Sequence, residues 1–151
     1  MDHSMKAGEL FLGGCNCAQA VVLAFTDVTG MERKQAAMMA APFGGGIGRM
    51  REVCGAVSGM MMVLGCLYGY DDTVATDAEK REHYKTVQEL AGKFREECGS
   101  IICREILKNP PSDPNPTPRT AEVYAKRPCA RMVMTAARIL DEYIAEHPVE
   151  V

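Results

Sequence analysis

From Val53 to Tyr70 the chain runs eighteen residues without a formal charge, bounded by Arg49 and Arg51 before and by Asp71 and Asp72 after. A stretch of that kind belongs in a protein interior or in a bilayer. This one is barely long enough to span hydrocarbon, and it carries Cys54, Ser58, Cys66 and four glycines, Gly55, Gly59, Gly65 and Gly69. The segments around it are amphipathic and need something apolar to cover. It therefore reads as a buried central helix, about residues 53–69, apolar all round, and not as a membrane span.

The rest of the chain supplies the helices that would enclose it. A short helix is predicted over Met5 to Leu12, ended by Gly13 and Gly14, and Asn16 is a good N-cap for a second helix from about Cys17 to Val28. The apolar stripe of that helix is Cys17, Val21, Ala24 and Val28, and Gly30 closes it. A third helix spans Glu32 to Ala41 and stops at Pro42. Thr76 and Glu79 form a capping box ahead of a long helix whose stripe is Tyr84, Val87, Ala91, Phe94 and Cys98, with Gly99 as its stop. Ser100 caps a short helix from about Ile101 to Leu107. Residues 109–118 hold five of the eight prolines, which makes them a stiff surface loop with the character of a lid. Pro128 suits the first position of a last helix with the stripe Cys129, Val133, Ala136, Leu140 and Ile144.

Composition agrees with this pattern. Aromatic residues make up 6% and Trp is absent, whereas Ala and Met are frequent, so helix is favoured over sheet. The predicted fold is all-α: a compact single-domain helical bundle, residues 1–151, around the central helix. A formal charge of -3 gives no overall attraction to phosphate backbones, which argues against nucleic acid as a partner. The first residues lack a basic segment followed by an apolar run, so a cytoplasmic location is expected. Seven cysteines are many for a reduced compartment, where repeated cysteines more often bind metal or react than form structural disulfides.

Four of them share one local context. Cys17, Cys54, Cys103 and Cys129 each fall in the first turn of a predicted helix, at the start of an apolar stripe. Any one alone reads as a small buried hydrophobe. Four together suggest helix N-termini converging on one place, where partial positive charge and free N–H groups would stabilise thiolates below the ~8.5 of free cysteine. Arg49 and Arg51 are positioned to flank such a site. Cys66 and Cys98 read as packing residues. Cys15, in a Cys-Asn-Cys turn with Cys17, is open to three roles: a fifth ligand, a resolving thiol or a loop residue.

The segments Asn16-Cys17-Ala-Gln-Ala-Val, Phe43-Gly-Gly-Gly-Ile-Gly-Arg49, Cys54-Gly-Ala-Val-Ser-Gly59, Ser100-Ile-Ile-Cys103-Arg-Glu and Pro128-Cys129 occur here in that order. In this respect the chain resembles the C_GCAxxG_C_C family of redox-active proteins, over about Lys6 to Ile144. The resemblance implies that Cys17, Cys54, Cys103 and Cys129 occupy the family's four cysteine positions. It also implies redox activity, transporter genes nearby and, as in some relatives, iron–sulphur binding. Cys15, Cys66 and Cys98 are additional to that pattern.

Other motifs carry less. The glycine loop 44–48 could cradle a phosphate with backbone N–H groups, but no Walker lysine and serine follow it and no strand precedes it, so a tight chain path beside Cys54 is the better reading. Gly55 and Gly59 form a smooth strip for a neighbouring helix. His3, His83 and His147 lie apart in polar settings and are read as solvated. No C-x-x-C or H-x-x-x-H pair is present, which removes the common zinc-finger and zincin patterns.

Three functions remain. The four cysteines could ligate an iron–sulphur cluster, most simply 2Fe–2S, in an electron carrier with a redox partner protein. Two of them could instead cycle between dithiol and disulfide without metal. The same four could hold structural zinc, or none, in a non-catalytic helical module. The sequence names no enzyme reaction, and its apolar helical surfaces leave room for a homodimer.

Overall fold

The structure is a computed structural model that describes residues 2–118, 120 and 127–149. Among these residues the fold is all-α. Residues 1, 119, 121–126, 150 and 151, part of the 1–151 span expected as one domain, lie outside the described set.

Helix α1, His3–Leu12, starts two residues earlier than predicted because the Asp2 carboxylate caps it, accepting from the Ser4 N–H at 3.0 Å. Helix α2, Cys17–Ala24, opens with a full capping box between Asn16 and Gln19. It ends four residues before the predicted Val28. Phe25 leaves helical geometry (φ −106°, ψ 12°), and the Thr26 hydroxyl donates to the Leu23 carbonyl at 3.2 Å, competing with the backbone ladder. The chain re-enters helix as α3, Thr26–Thr29, closed by Gly30 in the left-handed region. Helix α4, Arg33–Ala40, uses Glu32 as its cap. Pro42 does not end the run at once, since Ala41–Phe43 continue as a 3-10 turn.

Helix α5, Gly55–Tyr68, is the predicted central helix, but it is not buried all round. Gly55, Ala56, Val57, Gly59, Met60, Val63 and Leu64 are buried, whereas Gly65 and Cys66 are exposed as the last turns emerge from the core. Cys66 is therefore a surface thiol and not the packing residue expected. Helix α6, Asp77–Cys98, carries the predicted Thr76–Glu79 capping box and ends at left-handed Gly99. Its core contacts come from Leu90 and Phe94. Tyr84, placed on the apolar stripe by periodicity, is 54% exposed because this end of the helix projects beyond the core, and its hydroxyl meets that of Tyr70 at 2.5 Å. Helix α7, Cys103–Ile106, is one turn long, and α8, Cys129–Glu146, packs along α1 and also touches α2, α5 and α6. A single antiparallel bridge, Val53 with Ile102, is the extended pairing found among the described residues. No described helix is long and apolar enough to cross a membrane.

His3 overturns the expectation of solvated histidines. It is 5% exposed, stacks on Phe25 with ring centroids 4.2 Å apart, and bridges Asp27 (2.9 Å) and Asp141 (2.6 Å), tying α1 to α3 and α8. His147 is exposed against Tyr143, and His83 is half-buried beside Tyr70.

The close approach of α2 and α5 is set by the two glycines read as a smooth strip. A Cβ at position 59 would lie 2.7 Å from the Ala18 carbonyl oxygen, a backbone atom that cannot swing aside. Replacing Gly59 by Ala is expected to cost about 2 kcal/mol in a denaturant titration. Gly92, on α6 with nothing within 4 Å of an added Cβ, provides the contrast, since Gly92→Ala should stabilise by about 0.5–1 kcal/mol.

Candidate functional site: four thiols around one cavity

Cys17 is the first residue of α2, Cys54 the N-cap of α5, Cys103 the first residue of α7 and Cys129 the first of α8. All four line one cavity of about 40 Å³, together with Gly45, Arg51, Gly55, Ile106, Leu107 and Met132. The predicted convergence of four helix starts is thus found. Cys54 and Cys103 are buried, Cys17 and Cys129 half-buried, and all seven cysteines are free thiols. Cys15 packs beside the core but is not among the lining residues, and Cys98 lies at the far end of α6, where its sulphur meets Thr135.

Local backbone chemistry puts each thiol in place. Segments 51–54 and 101–104 zip together: the Cys54 N–H donates to the Ile101 carbonyl (2.7 Å), Cys103 N–H to Glu52 (2.6 Å) and Arg104 N–H to Arg51 (3.1 Å). Gly55 makes room for the thiol of α2, since a Cβ there would lie 2.5 Å from Cys17 Sγ and 2.8 Å from the Phe43 carbonyl oxygen. Gly46 does the same for Cys103, whose Cβ would be 2.8 Å from an added Cβ.

The glycine loop reaches this place by an unusual path. Gly45, Gly46 and Gly48 have positive φ, and so do Ile47 (68°), Arg49 (67°) and Arg51 (62°), a conformation costly for side chains with a Cβ. It is held by N–H groups of residues 47, 48, 49, 51 and 52, which donate to carbonyls of 42–46. Those five donors are spent within the loop and the Gly45 N–H faces the Cys17 sulphur, so the loop takes the tight chain path beside the thiols.

Arg51 is the residue whose importance the sequence understated. Its side chain is only 4% exposed, Nη1 lies 3.7 Å from Cys103 Sγ, Nε donates to the Pro111 carbonyl at 3.0 Å, and Nη2 is buried with no hydrogen-bond partner. Arg49 donates to the Asp113 carbonyl (2.7 Å) and to the Thr117 hydroxyl (2.6 Å), so the proline-rich loop is fastened over this edge of the site. Cys17 and Cys129 also border a larger outer cavity of about 510 Å³, walled in part by Pro114, Pro116 and Thr117. Arg127, which joins that wall, has no signal in the sequence beyond preceding Pro128 and Cys129.

The electrostatics correct one expectation. Burial pushes the Cys17 thiol up from its ordinary value, against the N–H groups of Gly45, Cys17 and Ala18, and it pushes Cys54 well up, against those of Ala56 and Val57. Cys129 is raised to about 11, mainly by burial, with Arg127 and Arg51 opposing. Helix N-termini do face these sulphurs, but desolvation outweighs them and the thiols are held neutral. Among the described residues no three His, Cys, Asp or Glu side chains stand close enough together to hold a metal ion.

Two consequences are measurable in metal-free protein. Below about pH 9 Cys129 is protonated whether the chain is folded or not; above it the unfolded chain ionises first, so stability should fall as pH rises from about 9 toward 11, as followed by thermal melting. In timed alkylation at pH 8, exposed Cys66 should react before buried Cys54 and Cys103, by about tenfold or more.

Comparison with curated proteins gave no match, and neither did comparison with solved structures. A family model does match: residues 15–143 align with the family described as “putative redox-active protein (C_GCAxxG_C_C)”. That span contains the four cavity-lining cysteines, the glycine loop that passes beside them and the Cys54-Gly55 step that admits the Cys17 thiol, and the chain belongs to this family.

Proposed function

We propose that the four cysteines hold an iron–sulphur cluster, most simply 2Fe–2S, and that the protein carries electrons. The observation that carries this reading is the arrival of Cys17, Cys54, Cys103 and Cys129, from four separate helices, at one small cavity. Four thiols match the cluster in kind and number. In the arrangement described here no three of them are gathered within metal-holding reach, so loading requires side-chain movement. When bound, such a cluster supplies a reversible electron couple.

The chain's own residues have defined tasks in this proposal. Each thiol must give up a proton to become a ligand, and burial opposes that ionisation at Cys17, Cys54 and Cys129, so loading favours higher pH. The N–H groups facing Cys17 and Cys54, with the Arg51 guanidinium beside Cys103, offset negative charge on sulphur. The proline-rich loop, anchored through Arg49 and Arg51, covers one edge of the site.

A second reading is thiol–disulfide exchange, favoured by the position of Cys17 and Cys129 on the outer cavity, where another thiol can approach. Zinc on the same four thiolates is the non-catalytic alternative.

Anaerobic purification followed by a visible spectrum and metal analysis separates the three. A brown protein with about two irons per chain is expected. Replacing any one of Cys17, Cys54, Cys103 or Cys129 by Ser should remove most of the iron, while Cys66→Ser retains it. Full retention in all four single variants would refute the cluster; stoichiometric zinc without colour would establish the structural alternative. Colourless, metal-free protein whose alkylation mass changes with oxidation would support exchange.

A further inference from the structure

We infer that the outer cavity is a binding site for a small oxyanion-bearing molecule, one carrying a phosphate or carboxylate group, seated against Cys17 and Cys129. The chain as a whole is acidic, at -3, yet Arg49, Arg51 and Arg127 all line this cavity of about 510 Å³, and no Asp or Glu is among its described lining residues. The volume is that of a small-molecule site.

Two arginines elsewhere in the fold are matched with carboxylates, Arg104 with Glu52, and Arg138 with Glu97 and Glu142. At the cavity the described oxygen partners of Arg51 and Arg127 are neutral. Arg51 donates to the Pro111 carbonyl, and Arg127 to the Thr117 hydroxyl at 3.2 Å; neither is ion-paired with a described carboxylate. Arg49 bonds to the Asp113 carbonyl and the Thr117 hydroxyl, while the Asp113 carboxylate, which feels the charge of Arg49, accepts from the Asn115 N–H at 3.0 Å and does not line the cavity.

Arg51 is decisive. It is 4% exposed, it lines both the inner and the outer cavity, and its Nη2 is buried without a hydrogen-bond partner among the described residues. A guanidinium so placed, with Nη1 on Cys103 Sγ, Nη2 left without a described partner and no described carboxylate paired with it, is costly to bury. Guanidinium forks match phosphate and carboxylate oxygens in geometry as well as charge. An oxyanion between Arg127 and Arg51 would supply the missing charge and place the rest of its molecule beside the two thiols that face outward.

The test is calorimetric titration of the full-length protein with inorganic phosphate and, separately, with succinate, at ionic strength held constant with chloride. Saturable one-to-one binding of at least one probe is expected; phosphate alone identifies a phosphorylated ligand, succinate alone a carboxylate. Arg127→Gln should weaken that binding by about tenfold or more, with an unchanged melting temperature reporting an intact fold. Arg81→Gln, a charge removed away from the cavity, should leave it unchanged. Absence of saturable binding, equal affinity in Arg127→Gln, or equal losses in both variants would each overturn the inference. Iron content is not read in this experiment, so its failure is separate from that of the cluster.

Discussion

The contact on which the rest depends is that of the Cys17 thiol with the bare α-carbon of Gly55. A Cβ at 55 would strike the Cys17 sulphur, and one at 59 the Ala18 backbone, so the two glycines let α2 and α5 pack closely. From that approach follow the burial of the first half of α5, the alignment of the starts of α2 and α5, and the narrowness of the cavity between them. Helices α1 and α8 then close over the pair, and the zipped segments 51–54 and 101–104 bring Cys103 to the same point.

Two opposed electrostatic tendencies meet there. Burial opposes ionisation of Cys17, Cys54 and Cys129, while the backbone N–H groups and Arg51 are arranged as though negative charge were present. A core filled only for stability has no use for a guanidinium with an idle donor, because an apolar side chain of similar volume would fit at lower cost. The backbone reinforces the point: Arg51 is held at positive φ, an unfavourable conformation that places its side chain under the loop.

Much of this was legible in the sequence, and for local reasons. The caps at Asn16 and Thr76, the stops at Gly30 and Gly99 and the positions of the four cysteines depend on a few adjacent residues, and the fold leaves them where the chain chemistry puts them. What was not legible depends on distant partners. The break at Phe25 lies inside an uninterrupted apolar stripe, and that ring is roofed by His3, a residue whose burial requires Asp27 and Asp141 from two other helices. Cys66 and Tyr84 sit on helices that outrun the core, and periodicity cannot tell where a helix leaves it. Arg51 looked like a flanking charge because its left-handed backbone is produced by hydrogen bonds within the loop, not by its own propensity.

The distribution of the thiols along the chain also orders events in time. Three of them, Cys17, Cys54 and Cys103, are made before α8, which brings Cys129 and packs along α1. A chain that ends before α8 carries three of the four thiols and leaves α1 without the helix that packs along it. The fourth wall belongs to the last described helix, so a chain truncated ahead of α8 lacks Cys129 and with it one side of the cavity.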